Sequence, residues 1–174
     1  MYLKKVIEWF IFSNFWISVG AIGITIANMK LLGLKWDLYY LLLVFSATLF
    51  AYNLQQISKE NNNFRKCQNH WMKSHHRLLI IIMIFSLILC ATLAFAILPM
   101  KLLFYSIPFI FLVLLYRKRK YMGFSFRSLP FVKIFVIAFC WTWTSSILLQ
   151  FLFLRELNWL PIIITFLLVF AITL

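Results

Sequence analysis

Charge is scarce in this chain, and acidic charge is scarcest of all. Charged residues make up 12% of the 174, and only four of them are Asp or Glu. A soluble domain of this length needs far more charge to cover its surface, so a water-soluble globule is excluded. Cysteine is rare as well. Cys67, Cys90 and Cys140 form no paired framework of the kind that staples small secreted domains. Cys90 and Cys140 fall inside apolar runs and read as small packing residues, while Cys67 in a polar stretch implies a reducing compartment. There is no phosphate-cradling Gly loop, no Ser-His-Asp order, no helix-borne His-Glu pair, no internal repeat and no low-complexity linker. Lys4 and Lys5 resemble the start of a signal peptide, but Glu8 interrupts the run and no small-x-small cleavage site follows.

What is abundant is apolar. Hydrophobic residues are 64% of the chain and aromatics 20%. The formal net charge is +13. In a soluble protein that excess would point to nucleic acid. Here the basic residues lie between apolar runs and form no single stripe, so they read as membrane topology determinants and no nucleic-acid partner is expected.

Six apolar runs are legible, at residues 6–29, 38–54, 78–98, 102–116, 131–154 and 159–174. Asn14 and Asn28 interrupt the first. Trp36 and Asp37 open the second in the manner of an interfacial N-cap. Pro99 closes the third. The fourth is short for a span and contains Pro108, so it crosses only if the bilayer thins or its ends snorkel. A backbone in lipid must satisfy its own hydrogen bonds, which makes these runs helices. The expectation is one all-α domain over residues 1–174, a polytopic transmembrane bundle of about six helices with polar loops at about 55–77 and 116–130.

Counting the flanks orients it. Thirteen Lys and Arg lie at the N-terminus and in or beside the two long loops, against four (Lys30, Lys35, Lys101 and Arg155) on the other side. The positive-inside rule then puts the N-terminus, both long loops and, with six spans, the C-terminus in the cytoplasm of an inner-membrane protein. The last run is still apolar at Leu174, with no charged anchor after it, and reads as a frame cut short.

Two regions carry candidate chemistry. Asn53 lies where the second run meets water, and its plain reading is a helix terminus with hydrated amides. The cluster from Arg117 to Lys120 reads as a topology determinant or an anionic-lipid contact more readily than as a substrate site. Cys67, His70, His75 and His76 fit no standard zinc spacing, and no residue is assigned as a metal ligand.

Four stretches together resemble the UbiA-type intramembrane prenyltransferase superfamily, in a divergent bacterial branch. They are Ser13-Asn14-Phe15-Trp16, Ala47-Thr48-Leu49-Phe50-Ala51-Tyr52-Asn53, Tyr116-Arg117-Lys118-Arg119, and Arg127-Ser128-Leu129-Pro130-Phe131-Val132-Lys133-Ile134-Phe135. The resemblance implies part of a nine-helix bundle around a lipid-open cavity, which transfers an isoprenyl group from a diphosphate to an acceptor. In such a family Mg²⁺ held by two Asp-rich motifs neutralises the leaving diphosphate, and an aromatic cavity shields the allylic fragment from water. Asn53, Tyr116, Lys118 and Arg119 would then meet the diphosphate, with Arg suited to bidentate contact. Asn14 would point into the cavity or make an interhelical hydrogen bond. Lys133, Trp141 and Thr144 share one helix face, which lines the cavity or simply packs.

The departures are equally concrete. Leu54, Ile57 and Asn61 stand where the family's first motif has Asp, leaving Glu60 as the nearby carboxylate, poor support for a metal pair. The second motif would follow Leu174. The expectation is therefore a prenyltransferase homologue, inactive or incomplete as it stands, with no catalytic residue assigned. Its partners would be membrane lipids, a prenyl diphosphate and a second chain carrying the missing helices. The alternative is a non-catalytic membrane protein, a transporter subunit or a scaffold.

Overall fold

A computed structural model describes residues 2–57, 74–115, 130–154 and 156–174. The described residues are helical, with no strand among them. In chain order they form α1 (Tyr2–Phe12), α2 (Phe15–Leu31), α3 (Leu38–Ile57), α4 (His76–Ile97), α5 (Met100–Leu115), α6 (Pro130–Thr142), a π turn (Trp143–Ile147), α7 (Leu148–Phe153) and α8 (Trp159–Thr173).

Local chemistry sets several boundaries. Asp37 caps α3 as the sequence implies, its Oδ1 accepting from the Tyr40 N–H at 2.8 Å. Gly33, at φ 66°, ends α2 in a Schellman turn: Leu34 N–H donates to Met29 O at 2.9 Å and Gly33 N–H to Lys30 O at 3.1 Å. Pro108 is accommodated inside α5.

The first apolar run departs from expectation. It is not one helix: α1 and α2 meet at a 65° bend. Asn14 sits at the break in the left-handed region (φ 66°, ψ 13°), where Asn is among the few residues with a side chain that sit readily.

Three helices are long and apolar enough to cross a bilayer: Leu38–Ile57, His76–Ile97 and Ile134–Phe153, the last running through the π turn. The bent pair Val6–Phe12 and Phe15–Leu31 passes that test only when taken together. Met100–Leu114 and Trp159–Thr173 are apolar but shorter.

α3 packs between α2 and α4, while α6 lies along α8, and the π turn bridges to α2. A core of Ala21, Met29, Tyr40, Leu43, Val44 and Leu149 joins α2, α3 and α7. The distribution of polarity is inverted relative to a soluble protein. Ser18, Thr25, Asn28, Asn53, Ser145, Gln150 and Thr165 are buried, while Ile81, Phe85, Phe95, Phe104, Ile110, Leu167 and Ile172 are exposed. A solvent that accepts such an apolar exterior is lipid, so this is a membrane protein.

Candidate functional site

The densest polar cluster lies at the break between α1 and α2. Ending α1 at Phe12 orphans the carbonyls of its last turn, which then need donors from elsewhere in the chain. Two side chains from the end of α3 supply it. Gln56 Nε2 donates to Phe12 O at 2.9 Å, and Asn53 Nδ2 to Ser13 O at 3.2 Å and Leu49 O at 2.9 Å. Asn14 Nδ2 then donates to Asn53 Oδ1 at 3.2 Å and to Gln56 Oε1. Ser13 and Ser18 close the cluster through their own helices, onto Trp9 O and Asn14 O. Asn53 is 0% exposed and Gln56 is buried. The hydrated-terminus reading of Asn53 is thereby corrected: its amide is consumed by a helix break that no local pattern announces.

A second cluster forms where the π turn misaligns the helical ladder and frees carbonyls. Tyr40 Oη donates to Thr144 O at 2.6 Å, and Asn28 Nδ2 donates to Ser145 O at 3.1 Å. The same Asn28 amide reaches Thr165 Oγ1 at 2.9 Å, tying α2 to α8. Further along, Gln150 Nε2 donates to Asn158 O at 3.2 Å, and Gln150 Oε1 accepts from Asn158 N–H. The buried Ser145 Oγ and Trp143 Nε1 have no hydrogen-bond partner, and the Trp143 ring stacks on Phe109 at 4.0 Å.

Of the residues expected at a diphosphate, Asn53 is in the amide cluster, and Tyr116, Lys118 and Arg119 lie outside the described residues. Of those expected to line a cavity, Asn14 joins Asn53. Lys133 falls on α6. Trp141 meets Tyr52 edge-on at 6.5 Å and lies over Gly20, where an added Cβ would be 4.0 Å from its ring. Thr144 Oγ1 back-bonds to Cys140 O at 3.1 Å, and its own carbonyl receives Tyr40. The structure thus joins Asn14 to Asn53, and Trp141 to the neighbouring residue of α3.

Two apolar grooves open between the helices. One, of about 380 Å³, is bounded by Phe15, Phe45, Leu49, Phe85 and Leu89. The other, of about 590 Å³, lies between α5, α6 and α8 and is bounded by Leu112, Phe135, Phe139, Trp159 and Phe166. Neither is lined by Asn14, Asn53, Trp141 or Thr144.

Mg²⁺ does not fit the residues that are described. Leu54 and Ile57 carry no side-chain donor, the amide of Asn53 is already bonded, and no three His, Cys, Asp or Glu come together among the described residues.

Gln56, Asn28, Tyr40, Gln150 and Thr165 went unselected in the sequence. A signal for α2 was present: Asn14, Ser18, Ala21, Thr25 and Asn28 recur at alternating spacings of four and three, and all are buried. No family model matches this chain, and no curated protein or solved structure matches it either.

Proposed function

We propose that this chain is a UbiA-like prenyltransferase homologue of the cytoplasmic membrane that holds a prenyl diphosphate with little or no turnover of its own. It crosses the bilayer six times, with α5 and α8 as short spans and the N-terminus in the cytoplasm. The observation that carries the reading is the meeting of Asn14 with Asn53. These residues belong to two of the family-like stretches, 39 positions apart, and hydrogen-bond to each other in the folded chain. An apolar groove of about 590 Å³, walled by Phe135, Phe139 and Phe166, offers room for an isoprenyl tail.

The chain's own contribution is binding and shielding. Lys118 and Arg119 neutralise diphosphate oxygens, Tyr116 donates to one, and the aromatic groove keeps water from the allylic carbon. The described residues beside Asn53 offer no carboxylate to hold a metal. The test is saturable binding of radiolabelled farnesyl diphosphate to the full chain in nanodiscs. The expected result is binding that falls at least tenfold in the Lys118→Ala, Arg119→Ala double variant, with farnesol a poor competitor. Binding equal in the variant, or equally well displaced by farnesol, contradicts the proposal.

The second reading is a non-catalytic scaffold. It is favoured by the commitment of Asn14, Asn53 and Gln56 to one another and to backbone carbonyls, which leaves the cluster a structural task. Mg²⁺-dependent prenyl transfer by this chain would exclude that reading. Absence of any prenyl diphosphate binding would select it.

A further inference from the structure

The geometry points to α1 as an in-plane amphipathic anchor resting on an anionic lipid surface, outside the transmembrane part of the bundle. This goes beyond the proposed ligand and holds whatever the bundle binds.

The level of the break is the first argument. Gln56 lies one residue before the end of α3 and bonds the carbonyl of Phe12, the last residue of α1. α1 therefore ends where α3 leaves the apolar zone, not in its middle. From that level α2 alone, at 17 residues, descends about 25 Å. With its flanking residues that nearly crosses a hydrocarbon core of about 30 Å, so α1 is not needed to complete a span. The 65° bend turns it toward the membrane plane.

Composition around the helix is the second argument. At 100° per residue, positions 4, 5 and 8 (Lys4, Lys5 and Glu8) fall on one arc. Leu3, Val6, Ile7, Trp9 and Phe10 fall on the other, with Ile11 at the boundary and Phe12 at the end of the helix on the polar side. Val6, Ile7 and Ile11 are each about half or more exposed, an apolar surface with no protein cover. α2 shows no such division, being apolar around its circumference apart from the buried polar stripe.

The third argument is the aromatic collar at the bend. Trp9 and Phe15 rings lie 5.1 Å apart, Phe10 and Trp16 6.1 Å, and Trp16 is 65% exposed. Tryptophan collects at headgroup level, the depth this arrangement gives it. Two lysines and one glutamate on one arc, opposite an apolar one, leave a net positive face that matches anionic headgroups over acyl chains, and charge complementarity selects that occupant over a neutral surface.

The test is thiol labelling of the full chain in sealed vesicles, in a background of Cys67→Ser, Cys90→Ala and Cys140→Ala. Single cysteines replace Lys4, Lys5, Val6, Ile7 and Phe10, and a water-soluble maleimide reports exposure. In phosphatidylcholine vesicles containing phosphatidylglycerol, positions 4 and 5 should label and positions 6, 7 and 10 should be protected. Omitting phosphatidylglycerol should weaken protection at Val6→Cys, and in its presence Lys4→Gln and Lys5→Gln should each weaken it about fivefold. Protection of all five positions would place α1 inside a span and overturn the proposal. So would uniform labelling, or a pattern indifferent to anionic lipid.

Discussion

The side-chain amide of Asn14 donates to that of Asn53 at 3.2 Å, joining the break between α1 and α2 to the last turns of α3. Around it, three side chains and two orphaned carbonyls satisfy one another in a site walled from water. Replacing Asn53 with Ala leaves Ser13 O and the Asn14 amide short of partners. Interhelical hydrogen bonds within membranes average about 0.6 kcal/mol, and an orphaned buried group costs about 1–3 kcal/mol. The expected loss is about 1–2 kcal/mol, measured by reversible unfolding in lipid–detergent micelles. A neutral Asn53→Ala contradicts the packing described.

Asn14 has a second role through its backbone. At φ 66° a residue with a Cβ is strained by about 1 kcal/mol, and Gly is not. Asn14→Gly and Asn14→Ala lose the same amide, so their difference isolates the backbone. The glycine variant should be the more stable by about 1 kcal/mol in the same unfolding assay.

Asn28 and Thr165 lie 137 positions apart and hydrogen-bond across α2 and α8. A double-mutant cycle of Asn28→Val and Thr165→Val should give a coupling energy between about 0.6 and 1.7 kcal/mol. A coupling near zero would mean that the two helices are not held in this register.

The π turn is sensitive to length. Deleting Ser145 removes the extra residue of the wide turn and converts it to regular helix, which takes away the freed carbonyls that Tyr40 Oη and Asn28 Nδ2 bond. Tyr40→Phe removes only the hydroxyl that Thr144 O receives. The deletion should cost several kcal/mol and Tyr40→Phe about 1 kcal/mol, compared as midpoints of thermal unfolding.

Much of the scaffold was legible because its cause is local. Long apolar runs, polar interruptions and the Asp37 cap place α3 to α8 within a few residues of the runs that announce them. The bend at Asn14 was not legible. Apolar residues continue on both sides, and the donors that stabilise the break come from Asn53 and Gln56, about forty residues away. The π turn was hidden for the same reason: Tyr40 and Asn28 answer the carbonyls it frees, and neither is near it in sequence. At the candidate site, sequence reasoning chose Asn14 and Asn53 and the fold joins them, but toward a helix break and not toward either groove. The expected diphosphate residues Tyr116, Lys118 and Arg119 fall outside the described residues and remain an expectation.

The most direct test is a two-sided topology map of the full chain in right-side-out and inverted membrane vesicles. Single cysteines at Lys35 and Lys101 should label only from outside, and single cysteines at Lys59 and Lys120 only from the cytoplasmic side. That pattern requires α3, α4 and α5 each to cross the bilayer. Labelling of Lys35→Cys and Lys59→Cys from the same side, or of Lys101→Cys and Lys120→Cys from the same side, would contradict a bundle threaded through the membrane in this way.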